Sequence, residues 1–202
     1  MDFSFTPEQL QIAESVSKAC EQFGDDYWLS RDSSGEFPHD FCLALANGGW
    51  LGIAMPEAQG GSGLGITEAA LMMQTIAASG AAMSGCSAVH MNIFGPNVIV
   101  VFGTEEQRQR MLPPLIDGRT KACFGVTEPD AGLDTTHLKT RAIRKNDHYL
   151  VTGHKVWTST AQVAEKILLI ARTRPLEECK KASDGLSLFY TDMDRTAIEV
   201  RE

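Results

Sequence analysis

Positive charge is scarce in the first half of this sequence. Residues 1–100 contain two basic residues, Lys18 and Arg31, against eleven acidic ones, whereas residues 101–202 contain sixteen basic and fifteen acidic residues. The net charge is −8, and such an acidic chain is poorly suited to binding the nucleic-acid backbone. We therefore expect no nucleic-acid partner, and we expect any anionic ligand to lie against the second half.

Paired cysteines are also missing. The five cysteines are odd in number and widely spaced, without a Cys-x-x-Cys pair, which argues against a disulfide framework or a zinc site. No two histidines lie at metal-ligand spacing on one predicted helix, so we expect no metal. Reduced, mostly buried thiols are typical of a cytoplasmic protein, and that is the location we expect. The cysteines are Cys20, Cys42, Cys86, Cys123 and Cys179.

Long apolar runs and nucleotide-binding loops are absent as well. The longest apolar patch, residues 98–102, is far shorter than the ~20 residues that span a bilayer, and the first residues lack the regions of a signal peptide. The glycine-rich stretch 60–65 fits no Gly-x-Gly-x-x-Gly register, and no Gly-Lys-Ser/Thr follows it. We expect no membrane insertion, and we interpret residues 60–65 as a flexible entry to a helix.

Helical periodicity dominates the sequence up to about residue 118. Thr6-Pro7-Glu8-Gln9 and Thr104-Glu105-Glu106-Gln107 have the pattern of helix capping boxes. Residues 30–38 are predicted to be a loop, and Pro113-Pro114 are predicted to end the last helix. Helices are predicted over about 7–23, 39–47, 67–79, 82–102 with a kink at Gly95-Pro96, and from 105 to the two prolines.

From Lys121 the hydrophobic period changes from 3.6 to 2, which predicts strands. The fold class is therefore α+β: an all-α helical-bundle domain over 1–118, followed by an antiparallel β-barrel domain over 119–202. The last strand begins just before residue 202 and would leave an unpaired edge, so we expect the barrel to be incomplete. Strands are predicted over 121–127, 138–145, 148–158, 166–172 and 186–193, with a partial one over 197–201.

The turn that follows the first predicted strand carries the main functional signal. Thr127-Glu128-Pro129 places a hydroxyl and backbone N–H groups at a strand end, and Gly132 allows close approach of another group. This combination suits a flat, phosphate-bearing ligand, although an ordinary strand-to-turn transition explains the same residues. A second segment, 155–160, ends a predicted strand with Trp157 and a run of hydroxyls.

Together the two segments resemble the acyl-CoA dehydrogenase family of flavoenzymes. That family carries a Thr-Glu-Pro-x-Ala-Gly-Ser-Asp turn and, about two dozen residues later, a Lys-x-Trp-x-Thr/Ser segment. The resemblance covers the whole chain in order. It implies that the β domain binds FAD, with Thr127 at the pyrimidine edge and Trp157 over one face of the ring. The residues it implies for cofactor binding are Phe124, Val126, Thr127, Gly132, Leu133, Trp157, Thr158 and Ser159.

The resemblance also implies an acyl pocket against the fourth predicted helix, lined by Cys86, Ser87, His90 and Phe94. Core packing is the favoured explanation of Cys86 and Phe94, and His90 fits a hydrogen-bonded core residue rather than a catalyst. Leu133 stands where the family usually has a serine that touches cofactor phosphate or substrate pantetheine, so only a backbone contact survives there. Arg141, Arg144 and Lys145 suit a CoA phosphate or, more simply, a solvated strand face.

The implied reaction is α,β-dehydrogenation of an acyl-CoA thioester to the trans-2-enoyl-CoA in fatty acid β-oxidation, part of lipid metabolism. An electron-transfer flavoprotein is the implied electron acceptor, and a homo-oligomer, dimer or tetramer, is the implied assembly. The family's catalytic glutamate and C-terminal helical domain correspond to nothing in residues 1–202. We therefore expect no catalytic residue in this chain, weak FAD binding and no turnover by it alone. An acyl-CoA oxidase, a flavin monooxygenase or a non-catalytic partner subunit are the alternatives.

Overall fold

The computed structural model describes residues 4–201 and contains two compact units, Met1–Lys121 and Ala122–Glu202. The first is helical and the second is built on a β-sheet, so the α+β fold class is confirmed. The division lies three residues beyond the predicted boundary after residue 118.

Both predicted capping boxes are present in the helical unit. The Gln9 amide N–H donates to Thr6 Oγ1 at 3.2 Å while Gln9 Oε1 accepts from the Thr6 N–H at 3.0 Å. Thr104 and Gln107 form the same reciprocal pair at the start of the last helix. Each pair supplies acceptors to N–H groups that have no partner within the helix. The helices are α1 (Pro7–Cys20), α2 (Asp25–Ser34), α3 (His39–Asn47), α4 (Ile66–Ile76), α5 (Ala82–Ile93), α6 (Asn97–Phe102) and α7 (Glu105–Ile116).

Three helix predictions are wrong in part. Residues 30–34, predicted as loop, are the second half of α2, which ends at Gly35 with a left-handed φ of 70°. The predicted helix over 82–102 is two helices, α5 and α6, separated at Gly95-Pro96. Helix α7 continues through Pro113 and Pro114 to Ile116, although each proline removes an amide donor, because the burial of Leu112 and Leu115 supports the last turn.

One stretch of the helical unit, the 37 residues Ile66–Phe102, is long and apolar enough by composition to cross a membrane. It is interrupted by a π-helical segment, Ala77–Ala81, in which Gly80 has a φ of 93°, and again after Ile93. No uninterrupted α-helix within it exceeds 12 residues, well short of the ~20 that span a bilayer. Its buried residues belong to the core of the unit, so we interpret it as a set of core helices.

The second unit contains a five-stranded sheet in which the long strand β4 (Lys166–Arg172) is central. Strand β5 (Leu186–Asp192) runs antiparallel to β4 on one side. On the other side lie β1 (Ala122–Gly125), which is parallel to β4, and β2 (Arg141–Lys145), which meets β4 in parallel at Arg172. Strand β3 (His148–Thr152) forms an antiparallel hairpin with β2.

This sheet differs from the predicted antiparallel barrel in three respects. It is mixed, because β1 and β2 run parallel to β4. Strand β3 ends at Thr152, so residues 153–158 are not a strand, and no strand is found over 197–201. Cys123, Ala161, Ala164, Ile167 and Met193 form the buried cluster of this unit.

Candidate flavin site

The turn after β1 is a compact reversal of the chain. Strand β1 is fixed by its parallel pairing with β4, from Ala122 opposite Lys166 to Gly125 opposite Leu169. Beyond it, Glu128 and Ala131 exchange two backbone hydrogen bonds, of 3.2 and 3.1 Å, across Pro129-Asp130. Pro129 favours this geometry because its φ is fixed at a value that turns require.

The second motif segment runs alongside this turn in the opposite direction. The Val156 N–H donates to the Thr127 carbonyl at 2.9 Å, and Thr160 Oγ1 donates to the Ala122 carbonyl at 3.2 Å. Residues 155–160 therefore lie next to residues 122–128 although about thirty residues separate them in sequence. The structure brings together the two segments that the resemblance paired, with Thr127 and Trp157 on adjoining stretches of backbone.

A buried ion pair, Glu128–Lys155, joins the two segments. The Glu128 carboxylate accepts from the Lys139 amide at 2.6 Å, the Thr140 amide at 2.9 Å and Lys155 Nζ at 2.9 Å. Lys155 Nζ also donates to the Val126 carbonyl at 2.9 Å. Burial alone raises the pKa of Glu128, but the hydrogen bonds from Thr140, Lys139 and Lys155 outweigh it and lower the pKa to about 2. Burial lowers the pKa of Lys155, and Glu128 opposes that shift.

Trp157 is a bulky residue in a strained, exposed position. Its φ is 58°, in the left-handed region that aromatic residues rarely adopt, and its side chain is 89 % exposed. Trp157 was predicted at the end of a strand, but it lies outside the strands and is exposed. Strain of this kind persists where the surrounding structure imposes it, and it is concentrated at binding sites.

The hydroxyls around Trp157 are available to a ligand. Within residues 4–201, the side chains of Thr127, Thr158 and Ser159 make no hydrogen bond to another residue, whereas Thr160 Oγ1 is bonded to two carbonyls. The segment then turns through hydrogen bonds from the Ala161 amide to Thr158 and from the Ala164 amide to Thr160. An exposed indole beside three free hydroxyls can bind a flat heteroaromatic group with polar edges.

Gly132 and Leu133 lie on the exposed side of the turn. A Cβ at Gly132 would meet nothing within 4 Å, and Leu133 is fully exposed. Asp134 then ends the turn by accepting hydrogen bonds from the Thr136 amide at 3.1 Å and from His137 Nδ1 at 2.6 Å. The pKa of Asp134 is lowered, and hydrogen bonds from Thr136 make the largest contribution to this shift. The open approach to residues 132–133 fits a bulky polar group such as a pyrophosphate.

The two remaining implied ring contacts belong to the edge of the sheet. Phe124 lies within β1, opposite Leu168 of β4, and is half-buried. Val126 is half-buried one residue beyond the strand, and its carbonyl is occupied by Lys155. Phe124 and Val126 therefore lie within three residues of Thr127, at the end of the same strand.

The residues predicted to line an acyl pocket all lie on or next to α5. Cys86 is buried in the helical core and its thiol donates to the Met73 carbonyl at 3.3 Å, and burial raises its pKa. Phe94 follows the end of α5 and packs against the same core. Ser87 and His90 are half-buried, and His90 Nδ1 lies 3.1 Å from the Ser87 carbonyl. No structural feature distinguishes these residues from core packing, so their role as a pocket stays a prediction.

Sequence reasoning missed the roles of Glu128 and Lys155. From the sequence, Glu128 was assigned only to the turn, and Lys155 was noted only as part of the second motif. The available signal for this ion pair was a glutamate in one segment and a lysine in the segment that was expected to lie beside it. Among residues 4–201 no cluster of three potential metal ligands is found.

Comparisons with known proteins agree with this architecture. The family description "Acyl-CoA dehydrogenase, N-terminal domain" matches residues 6–119, and "Acyl-CoA dehydrogenase, middle domain" matches residues 123–202. These two matches cover nearly the whole sequence, so the chain belongs to the acyl-CoA dehydrogenase family.

Individual relatives show the same likeness. Acyl-CoA dehydrogenase FadE12 of Mycobacterium tuberculosis is 31% identical over 195 residues, which are 96% of this chain and 49% of that protein. Mitochondrial isovaleryl-CoA dehydrogenase of Bos taurus is 34% identical over 168 residues, 82% of this chain and 39% of that protein. The chain spans about half the length of the curated relatives it matches.

Solved structures share the fold. A glutaryl-coenzyme A dehydrogenase in complex with glutaryl-CoA has a TM-score of 0.85 and 27% identity, covering 95% of this chain and 48% of that one. An FAD complex of PigA has a TM-score of 0.85 and 25% identity, covering 95% of this chain and 49% of that one.

Proposed function

We propose that this chain provides the helical domain and the flavin-holding β domain of an FAD-dependent acyl-CoA dehydrogenase. The observation that carries the proposal is the hydrogen bond between Val156 and Thr127, which sets the indole segment beside the hydroxyl-bearing turn. Membership of the family and the likeness to a structure that contains FAD support the choice of cofactor.

The residues of the β domain have separate tasks in this proposal. Trp157 would cover one face of the flavin and exclude water from it, and Thr127 would donate to its pyrimidine edge. The amides of Gly132 and Leu133 would donate to the pyrophosphate, and Thr158 and Ser159 would supply donors near N5. FAD, when bound, accepts the β-hydride of the acyl-CoA. Donors fixed near a site of developing negative charge lower the energy of the reduced state.

Among residues 4–201 we assign no side chain as the base that removes the α-proton. Glu128 is the only acidic side chain buried at the turn, and its three hydrogen bonds and its pKa of about 2 make it a poor proton acceptor at neutral pH. We therefore expect the chain alone to bind FAD weakly and to leave acyl-CoA unchanged.

The substrate, the electron acceptor, the assembly and the location are also part of the proposal. An acyl-CoA of the β-oxidation pathway is the substrate, an electron-transfer flavoprotein is the acceptor, and the enzyme is a homo-oligomer, dimer or tetramer, in the cytoplasm. A relative 32% identical to this chain is named as a subunit of a caffeyl-CoA reductase–Etf complex, which supports the choice of acceptor. The five free cysteines are consistent with a reducing compartment.

The test is to purify, from cells that make it and without adding flavin, the native enzyme in which this chain forms the helical and β domains, and then to add acyl-CoA anaerobically. We expect extractable FAD and bleaching of the flavin absorbance by at least one acyl-CoA. A flavin-loaded protein that ignores every chain length and branching pattern would refute the dehydrogenase function. Rapid reoxidation of the reduced flavin by oxygen would favour an oxidase or monooxygenase. Stoichiometric association with a second chain, without flavin in either, would favour a non-catalytic subunit.

A further inference from the structure

The Glu128–Lys155 ion pair differs from the other ion pairs of the β domain. The side chains of Lys155 and Glu128 are 10% and 4% exposed, whereas Lys139 and Asp130, which pair on the surface of the same turn, are 74% and 70% exposed. Removing two charges from water is costly, and an apolar pair of similar size often stabilises a protein as well or better. Stability alone therefore gives a weak reason for a buried ion pair at this position.

The pair joins the two segments that carry the flavin contacts. Lys155 Nζ reaches both the Val126 carbonyl and the Glu128 carboxylate, which are the neighbours of Thr127 on either side. One residue after Lys155, the Val156 N–H is bonded to the Thr127 carbonyl. Three hydrogen bonds within five residues thus fix the separation of the two stretches of backbone.

The carboxylate also anchors the turn to the strand that follows it. Glu128 accepts from the amides of Lys139 and Thr140, immediately before β2, so that the turn, the β2 strand and the indole segment meet at one side chain. Trp157 is two residues beyond Lys155 and has the strained φ of 58°. A strained residue stays in place only where its neighbours hold it, and Lys155, two residues before Trp157, is held by two hydrogen bonds to the turn.

We propose that Glu128 and Lys155 are positioning residues of the flavin site, which set the spacing between Thr127 and Trp157 without touching the cofactor themselves. This inference rests on the proposed function. Glu128 is unsuited to direct contact because its carboxylate is buried and occupied by three donors. The pair acts by keeping the hydroxyl and the indole at the distance that a flavin ring requires.

The test follows Trp157 directly in the 202-residue chain, by fluorine NMR after labelling with 5-fluorotryptophan. The chain has three tryptophans, and the other two, Trp28 and Trp50, belong to the helical unit and report whether that unit stays folded. The variants are Glu128→Gln, Lys155→Met, their combination, and the charge-conserving Lys155→Arg. Asp130→Asn, which breaks the exposed pair of the same turn, is the matched control.

We expect Glu128→Gln and Lys155→Met to shift or broaden the Trp157 resonance while leaving Trp28 and Trp50 unchanged. Lys155→Arg should retain most of the wild-type signal, and Asp130→Asn should retain all of it. FAD affinity, measured by titration, should fall at least about tenfold in both disruptive variants, and the double variant should lose no more than either, because the two side chains act as one unit.

The double variant keeps the test decisive if a single change unfolds the β domain, since it buries no unpaired charge. If that variant is folded by circular dichroism, and its Trp157 resonance and FAD affinity stay within error of wild type, the positioning role is wrong. If the wild-type chain binds no FAD even at millimolar concentration, the proposed function fails instead. The Trp157 resonance then still shows whether the pair sets the position of the indole.

Discussion

Glu128 is buried within the β domain, and its carboxylate accepts three hydrogen bonds. Its neighbours include two backbone amides and an ammonium group, and together they hold its pKa at about 2 instead of the ordinary 4.5. A carboxylate held in this way stays ionised at neutral pH.

The pH dependence of stability should show this anion. The folded-state pKa lies below the unfolded one, so its contribution is fully present above about pH 4.5 and is lost as the pH falls towards 2. A shift of this size corresponds to roughly 3 kcal/mol. We expect Glu128→Gln to destabilise the β domain by about that amount at neutral pH and to flatten its acid denaturation curve.

Hydrogen exchange measured by mass spectrometry on peptides from β1 and β4 locates this effect in the β domain. Asp130→Asn is the control, because an exposed ion pair contributes only ~0–1 kcal/mol. Equal acid sensitivity of the wild-type protein and Glu128→Gln would contradict the assignment.

Trp157 allows the cost of backbone strain to be separated from the loss of the indole. Glycine adopts a φ of 58° without penalty, whereas alanine does not. We expect Trp157→Gly to be more stable than Trp157→Ala by about 0.5–1 kcal/mol in urea unfolding. Both variants should lose FAD affinity by a similar factor, because both lack the ring. A more stable alanine variant would show that residue 157 adopts another conformation in solution.

Among the secondary-structure elements, those with strong local signals were predictable. The capping boxes at Thr6 and Thr104 marked the starts of α1 and α7, and the change of hydrophobic period located the sheet within a few residues. Helix α2 was missed because only Tyr27 and Trp28 anchor it, through edge-to-face contacts with Phe23 and Phe41. Its apolar periodicity is too weak to detect, and tertiary packing supplies what propensity does not.

Strand β3 was predicted too long for a comparable reason. Residues 153–158 have strand-like composition, but a Cβ at Gly153 would lie 2.1 Å from Thr140 Oγ1, so the chain passes close to β2 and leaves the ladder. Lys155 then turns inward to Glu128. The pairing of the two motif segments followed from the resemblance, whereas the buried ion pair between them depended on a tertiary contact that no local pattern contains.

Two glycines of the β domain should respond oppositely to the same substitution. Gly153→Ala forces a clash with the Thr140 side chain and is expected to cost 1–3 kcal/mol or more, as estimated for overpacking. Gly132→Ala enters open space and should change the free energy of unfolding by less than about 0.5 kcal/mol. Urea unfolding followed by circular dichroism measures both. A stable Gly153→Ala variant would show that Thr140 is free to move aside.

The link between α4 and α5 offers a second matched pair. Ala82 has a φ of 47° and Gly80 a φ of 93°, both in the region that favours glycine. We expect Ala82→Gly to stabilise the helical unit and Gly80→Ala to destabilise it, each by about 1 kcal/mol. The thermal midpoint of the Trp28 and Trp50 fluorescence reports this unit. A destabilised Ala82→Gly variant would contradict the strain assigned to this link.

For the whole molecule, the chain combines the two domain types that its family matches predict, each with its own core. The helical unit, residues 1–121, contains six basic and fourteen acidic residues, whereas residues 122–202, which carry the candidate flavin site, contain twelve of each. This distribution supports our expectation that an anionic dinucleotide binds the β domain.

The most direct test of the central claim is a titration of the 15N-labelled chain with FAD, followed by backbone amide NMR. At 22.0 kDa the chain suits this method, which also detects weak binding. We expect saturable shifts concentrated at residues 126–133 and 155–159, and their loss in Trp157→Ala. Shifts confined to other parts of the sheet, or no shifts at millimolar FAD, would contradict the claim that these two segments hold the flavin.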